Sequence, residues 1–510
     1  MRSQSTVERT LFSVFCTAII FICTNAGAAV AQSQASGQPH IETVDATRLK
    51  QRIDETVIEW GIPSTSVAVA NGTAPIWAYA SGFSNKEKRT RTTTDTRYRL
   101  ASVSKPITAV AVTMLADRGL IDLDAPANDY LGSAKIETKT GDARDVTVRR
   151  LMSHRAGLPP HYNLIHAGED YQRRSLDESI SLYGKAMLRP GLTHRYSNIG
   201  YAVLERIIER VSGKSYGEFL RNDLFEPLQM ESAEVFTSPE NPANTAVPYT
   251  RAGDRYDSYD IDTRGAGGVF MTASDLVKFG RFFSDALDGR SELLSAMAAL
   301  EMLEMQSPAQ ADKVEYYSLG WVHELRGDNK EHDTIYHLGS TPGVRAELWI
   351  YPDRDLVVAT LLNEMNYRAL YHVREAMIAT YAPDITTEPF PTITIPDTLA
   401  HQWEGVIDLG PDGQQTVSFD FTDINRPLAR IDGEEVKIHA AADWQDGLFQ
   451  IRTEHAQINT RDAQRQPYRL GFILEPGDSV LKGYVTVNRI TTRDRDSGNY
   501  AYWTTLQRKP

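Results

Sequence analysis

The sequence predicts a mixed α/β unit with antiparallel strands, followed by a second unit made of strands alone. The length of 510 residues exceeds one ordinary domain. Apolar residues in the longer N-terminal part recur at helical spacing, and paired strand-like runs flank these stretches. In the C-terminal part, short alternating runs follow one another between Gly, Asp and Asn turns, which is typical of a small antiparallel barrel.

The N-terminus has the pattern of a secretory signal peptide over residues 1–31. Arg2 and Arg9 lie before an uncharged stretch from Leu11 to Cys23. Ala29-Val30-Ala31 then supplies small residues for cleavage after Ala31. The uncharged run is shorter than the about 20 apolar residues of a bilayer span. We therefore expect a periplasmic or secreted protein without a stable membrane span.

Composition excludes several classes of function. Both cysteines, Cys16 and Cys23, lie in the predicted signal peptide, so the mature protein would have neither a disulfide nor a catalytic thiol. The net charge of −13 argues against a nucleic-acid partner. The twelve histidines are scattered, and His161 with His166 lacks the i, i+4 spacing of a helical zinc pair. We expect no metal and no cofactor.

Two antiparallel strand pairs are expected in the first unit. Thr65 to Ala70 ends in Asn71-Gly72, a hairpin signal, and a second strand follows from Pro75 to Gly82. Later, Arg345 to Tyr351 and Leu356 to Leu362 form two strand-like runs joined by Pro352-Asp353-Arg354-Asp355. These pairs predict an antiparallel sheet.

Three helices are expected beside these strands. The first opens at Ser102 and runs to Gly119, and the second follows Asn198 and stops at Gly213. The third begins after Thr272, which reads as its cap, and Gly265 to Gly268 before it reads as a tight backbone passage.

A linker separates the two predicted units. Four prolines lie between Ala382 and Pro396, a composition that breaks regular structure. We place the catalytic domain at 32–382, the linker at 383–397 and the β-barrel domain at 398–510. The barrel strands are expected near Thr416–Phe421, Glu435–Ile438, Leu448–Ile451, Leu470–Ile473 and Tyr484–Val487.

The segment Ser102-Val103-Ser104-Lys105 suggests a serine nucleophile with a nearby base. Residues three apart share one face of a helix, so Lys105 would lie beside Ser102. A serine hydroxyl needs a group to accept its proton, and Lys105 can do so if burial lowers the pKa of its ammonium. Tyr196 as a phenolate is the other candidate, and the sequence leaves open which of the two is the base.

Further residues fit an acyl-transfer site. Asn198 lies two residues beyond Tyr196, and its amide can orient a substrate amide. The oxyanion formed on attack needs preorganised donors, for which we expect the backbone amides of Ser102 and of Ser340, after Gly339. His337-Leu338-Gly339 enters just before the strand pair that begins at Arg345. The predicted site residues are therefore Ser102, Lys105, Tyr196, Asn198, His337, Gly339 and Ser340.

The conjunction of these motifs, in this order, resembles the serine β-lactamase and penicillin-binding protein superfamily, in particular its class C β-lactamase-related hydrolases. The resemblance covers roughly Val57 to Tyr381 and includes further segments: Leu151 to Pro159, Pro227 to Met230, Leu319-Gly320-Trp321 and Ser340 to Gly343.

The resemblance implies an α/β, β-lactamase-like antiparallel sheet with packed helices, an all-helical subdomain and a groove between them. It also implies a nucleophilic Ser102, proton transfer by Lys105 and Tyr196, and substrate contacts by Asn198 and His337. Many members have lysine at the position of His337, where its charge holds a substrate carboxylate. Histidine is largely neutral near pH 7, so this hold is weakened.

The expected function is that of an exported serine hydrolase that forms an acyl-enzyme on Ser102. Short linear peptides, including those with D- or otherwise unusual residues, are the preferred substrates. A carboxylesterase or β-lactamase using the same residues is one alternative, and a non-catalytic peptide- or peptidoglycan-binding protein is another. The C-terminal barrel resembles a lipocalin, which in related peptidases shapes access to the groove or mediates homo-oligomer assembly.

Overall fold

A computed structural model describes residues 46–168, 173–238, 240, 242–250, 253–306, 315–326, 332–385, 399–422, 428–445, 448–453, 468–477, 479–489 and 499–509. The predicted signal peptide and both cysteines lie outside these residues. Most of the predicted linker also lies outside them, so the proposed domain boundaries stay a prediction.

The first part of the chain contains ten α-helices and fifteen strands among the described residues. In chain order the helices are α1 (Ala46–Glu59), α2 (Ser104–Asp117), α3 (Val148–Met152), α4 (Leu176–Tyr183), α5 (Asn198–Ser212), α6 (Tyr216–Leu220), α7 (Arg264–Gly267), α8 (Ala273–Leu287), α9 (Ala296–Glu301) and α10 (Tyr367–Tyr381). The strands are β1 (Ser64–Asn71), β2 (Trp77–Asn85), β3 (Thr90–Arg91), β4 (Tyr98–Arg99), β5 (Glu137–Thr138), β6 (Leu164–His166), β7 (Lys185–Ala186), β8 (Glu234–Val235), β9 (Tyr259–Ile261), β10 (Val269–Met271), β11 (Glu315–Tyr317), β12 (Val322–Arg326), β13 (His332–Thr341), β14 (Val344–Tyr351) and β15 (Leu356–Leu362).

Eight of these strands form one antiparallel sheet in the order β11-β12-β13-β14-β15-β1-β2-β3. Both predicted strand pairs are confirmed, because β1 pairs with β2 and β14 pairs with β15. Alternate residues of β1 face opposite sides of the sheet. Ala68 and Ala70 pack in the cluster that contains α8, whereas Val67 and Val69 pack with residues of α1 and α10.

The helix α2 is central to the fold. Every residue from Ser104 to Leu115 is buried, so the helix is enclosed on all sides rather than on one apolar face. It packs against α5 and α7, and it is followed by Gly119 in the left-handed region at φ +72°. The expected helix is confirmed, but it begins at Ser104 rather than at Ser102, which lies in a preceding one-turn 3-10 helix.

The other two expected helices are also confirmed. Ser197 caps α5 by accepting a hydrogen bond from the Gly200 amide, and Gly213 ends this helix in the left-handed region. Thr272 caps α8 in the same way through the Asp275 amide. The expected tight passage is the short helix α7, where a side chain at Gly265 would lie 2.5 Å from the Tyr201 carbonyl.

The C-terminal part forms the expected closed antiparallel barrel. Its strands are β16 (Gln402–Asp408), β17 (Gln414–Asp420), β18 (Leu428–Ile431), β19 (Glu434–Gln445), β20 (Leu448–Thr453), β21 (Tyr468–Pro476), β22 (Val480–Arg489) and β23 (Asn499–Arg508), and β23 pairs with β16 to close it. Buried apolar side chains fill the interior, among them Trp403, Phe419 and Phe472.

The outer face of the barrel contacts the first part of the chain. Ile473 and Tyr484 form an apolar cluster with Met187 and Leu188, and Trp503 packs against it. Met187 and Leu188 lie shortly before Tyr196 in sequence, so the barrel contacts the segment that leads to the predicted site.

None of the helices in the described residues is long and apolar enough to cross a membrane.

Candidate active site

A cavity of about 480 Å³ lies where the turn before α2, the start of α5 and strand β13 meet. Six of the seven predicted site residues line it, and the seventh, Lys105, lies behind its wall: the six are Ser102, Tyr196, Asn198, His337, Gly339 and Ser340. The structure therefore brings together segments that are far apart in sequence.

The backbone before Ser102 adopts a sharp turn. Ala101 has φ +48°, a left-handed conformation that is uncommon for a residue with a side chain. Such a residue costs of order 1–3 kcal/mol and occurs mainly where function requires the conformation. Here the turn presents the Ser102 hydroxyl to the cavity while α2 continues into the core.

Lys105 is buried, and its amine contacts three oxygen atoms. The Nζ atom lies 3.2 Å from Ser102 Oγ, 2.8 Å from Asn198 Oδ1 and 3.0 Å from the Ala266 carbonyl oxygen. Burial lowers the pKa of Lys105 well below its usual value, and no carboxylate among the described residues offsets this effect. In its deprotonated form, this amine can donate its two N–H groups to Asn198 and Ala266 and offer its lone pair to the Ser102 hydroxyl.

Tyr196 also lies next to Ser102 and forms a hydrogen bond with it. Burial raises the pKa of Tyr196, and the hydrogen bond with Ser102 opposes this shift only in part. The Lys105 amine lies 4.6 Å from the centre of the Tyr196 ring. The phenol is therefore neutral at ordinary pH and is a hydrogen-bond donor rather than a phenolate.

Asn198 is the first residue of α5, and most of its hydrogen-bonding capacity is used within the protein. Its Oδ1 accepts from Lys105, and its Nδ2 donates to the Pro160 carbonyl at 2.9 Å. A substrate amide therefore cannot use both ends of the Asn198 side chain while these contacts are kept. One N–H of Nδ2 is left for a substrate carbonyl.

His337 is buried on β13 and is neutral. Burial, with a smaller contribution from Lys105, lowers the pKa of His337 to about 3. Its Nδ1 lies 2.8 Å from the Leu338 carbonyl and its Nε2 lies 3.0 Å from the Tyr317 hydroxyl. This pattern fits a ring that donates from Nδ1 and accepts at Nε2, so His337 supplies no positive charge to the cavity.

Gly339 lies against the backbone that leads to the nucleophile. A Cβ atom at this position would be 2.2 Å from the Leu100 carbonyl oxygen and 3.3 Å from Ala346 Cβ. Glycine is therefore required for the close approach of β13 to the Ser102 turn.

Strand β12 pairs with β13 only over His332 to Tyr336, so β13 from His337 onward has no strand on its cavity side among the described residues.

Sequence reasoning missed the aromatic residues behind the site. His154 has its ring 4.3 Å from Tyr196 and 4.6 Å from Tyr317, and its Nδ1 accepts a hydrogen bond from the Ser197 amide at 3.0 Å. Burial, with smaller effects from His194, Lys105 and His337, lowers the pKa of His154 well below its usual value. His154 lies in the segment Leu151 to Pro159, which contributed to the family resemblance but did not predict the contact with Tyr196. No sequence pattern pointed to Tyr317.

Comparison with known proteins identifies the family of the chain and a curated relative. The family described as Beta-lactamase matches residues 49–382. Penicillin-binding protein 4 of Amycolatopsis lactamdurans is 30% identical over 335 residues, which cover 62% of this chain and 85% of that protein.

Two solved structures share the fold. A structure of SurE with D-Leu has a TM-score of 0.60 and 23% identity, and the match covers 86% of this chain and 97% of that one. A D-stereospecific amidohydrolase from Streptomyces sp. has a TM-score of 0.53 and 21% identity, with 66% of this chain and 99% of that one covered.

Proposed function

Because the chain belongs to the beta-lactamase family of serine hydrolases, we propose that it is an exported peptidase or amidase that forms an acyl-enzyme on Ser102. The proposed substrates are short linear peptides, including those with D- or otherwise unusual residues. The observation that carries the proposal is the buried amine of Lys105, 3.2 Å from the Ser102 hydroxyl and without a carboxylate partner among the described residues.

In the proposed first step, Ser102 Oγ attacks the carbonyl carbon of the scissile bond and its proton moves to the Lys105 amine. The two other acceptors, Asn198 Oδ1 and the Ala266 carbonyl, then stabilise the ammonium that forms. The proposed oxyanion donors are the backbone amides of Ser102 and Ser340, which both line the cavity.

In the second step, the leaving amine needs a proton. We assign its delivery to Tyr196, which is hydrogen-bonded to Ser102 and lies beside the Lys105 amine. The proton passes from the Lys105 ammonium through the tyrosine hydroxyl to the amine as the C–N bond breaks. The opposite pKa shifts of Lys105 and Tyr196 favour the lysine as base, an alternative that the sequence left open. Water then attacks the ester of Ser102 and the same groups act in reverse.

Two observations favour a peptidase or amidase over a β-lactamase. His337 is neutral, so the position where many relatives carry a lysine has no charge to hold the carboxylate of a β-lactam. The structural neighbours with the same fold include a D-stereospecific amidohydrolase and a protein solved with D-Leu. The proposed export rests on the signal-peptide pattern of residues 1–31, and self-association through the barrel stays a prediction.

The test is mass spectrometry of the mature protein with p-nitrophenyl esters, D- and L-aminoacyl anilides, short peptides and a chromogenic cephalosporin. Ser102→Ala is the inactive variant, and Ser181→Ala, on an exposed position of α4, is the matched control. Cleavage of peptides or anilides that needs Ser102 supports the proposal. Ester turnover alone indicates a carboxylesterase, rapid cephalosporin turnover indicates a β-lactamase, and the absence of any Ser102-dependent adduct indicates a binding protein.

A further inference from the structure

A second cavity, of about 520 Å³, shares no lining residue with the catalytic cavity. This volume lies within the range of about 300–1,000 Å³ that is typical of small-molecule sites. Except for Gly191, every described residue that lines it is polar or charged. Four are arginines and two are aspartates: Arg144, Arg149, Arg150, Arg155, Asp124 and Asp145. The cavity therefore suits a hydrophilic ligand rather than an apolar one.

One of the four arginines is neutralised by acids of the protein. The Nε and Nη2 atoms of Arg149 donate to the Asp124 carboxylate at 2.7 and 2.9 Å. Nη2 also donates to the Glu301 carboxylate at 2.6 Å. Arg149 therefore ties one wall of the cavity together, and its charge is already balanced.

The other arginines leave an excess of positive charge. Arg150 donates to the Asp145 backbone carbonyl at 2.6 Å, whereas the Asp145 carboxylate lies 3.6 Å from the guanidinium. Arg144 is exposed and forms no ion pair with any residue that the structure describes. Even with Glu301 counted, four guanidiniums face three carboxylates here, in a chain whose net charge is −13. The local charge is thus opposite to that of the whole protein.

Gly191 holds two of these guanidiniums in place. It has φ +83°, and a Cβ atom there would lie 3.0 Å from Arg150 Cζ, so the missing side chain lets this guanidinium lie against the backbone. Arg155 donates from its guanidinium to the Gly191 carbonyl, and the Gly191 amide donates to the Arg155 carbonyl at 2.8 Å. Arg155 is only 9% exposed. Both guanidiniums are therefore ordered before a ligand arrives, which lowers the entropic cost of binding.

A phosphate group fits this arrangement better than a carboxylate does. Guanidinium and phosphate form paired, charge-assisted hydrogen bonds, and the three terminal oxygens of a phosphate monoester can accept from more than one arginine. Such a group carries a charge of about −1.5 to −2 at pH 7. We propose that this cavity binds a small hydrophilic molecule through a phosphate group held by Arg144, Arg150 and Arg155.

The phosphate group can belong to a free phosphate ion or to a phosphate ester such as a sugar phosphate. Both present the same oxygens to the guanidiniums. An ester also brings hydroxyl groups, for which the Asp124 and Asp145 carboxylates at the cavity wall are acceptors. The experiment therefore has one arm for each source.

Isothermal titration in a phosphate-free buffer of low ionic strength measures the binding. The probes are inorganic phosphate, glucose 6-phosphate and, as the uncharged comparison, glucose. We expect saturable binding of at least one phosphate probe and none of glucose. Arg144→Gln and Arg150→Gln should each weaken this binding about 10- to 100-fold, the value of hydrogen bonds to a charged group. Tighter binding of glucose 6-phosphate identifies an ester as the better ligand, and equal affinities identify the phosphate ion itself.

Arg52→Gln is the matched control, because it removes the same charge from an exposed position of α1 outside this cavity. Its affinity for the phosphate probes should equal that of wild type. Thermal melts of each variant check folding, and Arg144→Gln keeps the test valid if Arg150→Gln is unstable, because the Arg144 side chain is exposed. The absence of saturable binding by both phosphate probes, or unchanged affinity in Arg144→Gln and Arg150→Gln, overturns the proposal.

Two further variants separate this site from the catalytic cavity. Ser102→Ala and Arg345→Gln each alter a residue that lines the catalytic cavity and not this one. Both should bind the phosphate probes as wild type does, whether or not the protein hydrolyses peptides. Binding that is lost in Arg345→Gln but kept in Arg144→Gln would place the anion in the catalytic cavity and overturn the proposal.

Discussion

Replacing Gly339 by alanine is expected to reduce kcat/KM about 100-fold while the chain still folds. The added Cβ atom would lie 2.2 Å from the Leu100 carbonyl oxygen, whereas contacts under 3.0 Å are essentially never seen. Strand β13 and the Ser102 turn must therefore separate by at least about 0.8 Å, the difference between these distances. A misplacement near 1 Å can cost about 10²-fold in rate.

The separation acts on the oxyanion site in particular. Ser340 follows Gly339 on β13, and Ser102 lies two residues beyond Leu100, so the two proposed donors move apart. Acylation should slow more than substrate binding weakens, because the oxyanion exists only in the transition state and intermediate. The expected loss of stability is that of an overpacked site, about 1–3 kcal/mol.

The assay is turnover of the best anilide or peptide substrate, normalised to active sites titrated with a fluorophosphonate, with thermal melts of each variant. Gly217→Ala is the control, because a Cβ atom there would meet Val235 Cβ at an ordinary 3.5 Å. It should match wild type in rate and melting temperature. A folded Gly339→Ala enzyme with kcat/KM within about threefold of wild type would refute the reasoning.

Three further outcomes are expected. Lys105→Met should lower kcat/KM by about 10²–10⁴-fold. In wild type, a pH–rate profile should show the rate rising with pH as Lys105 loses its proton, at a pKa that burial places well below the usual value. Tyr484→Ala should lower kcat more than it raises KM, because Tyr484 packs on Met187 and Leu188 in the segment before Tyr196. A folded variant with the kcat and KM of wild type would show that this barrel contact does not affect catalysis. Burial raises the pKa of Glu205 to about 8, above its unfolded value of 4.5, so its contribution to stability falls as the pH rises between these values. Melting curves of Glu205→Gln should lack this part of the decline, and an unchanged pH dependence would contradict it.

The part of the site that could be predicted from sequence is the part set by local geometry. Ser102 and Lys105 are three residues apart, and a helical turn brings such residues together in any fold. The caps of α5 and α8 and the glycine that ends α5 are likewise local. The start of α2 was misjudged by two residues because Ala101 takes a left-handed φ of +48°, which nothing in its side chain favours.

The partners that come from the tertiary structure could not be predicted in this way. Tyr317 reaches His337 only because β11, β12 and β13 pair in that order. Arg345 was placed in a strand, but its position beside the cavity depends on the register that sets it opposite Ser340. His154 was known only as part of a segment, and its contact with Tyr196 depends on two loops that meet 42 residues apart in sequence (196 − 154).

These long-range contacts give the site its electrostatic character. Burial lowers the pKa values of Lys105, His154 and His337 and raises that of Tyr196, so it disfavours the charged form of each of these groups. In the proposed mechanism, new charge develops when Ser102 attacks, at the oxyanion and at the Lys105 amine. In a buried site, fixed hydrogen-bond donors stabilise a new charge more strongly than water-exposed donors would.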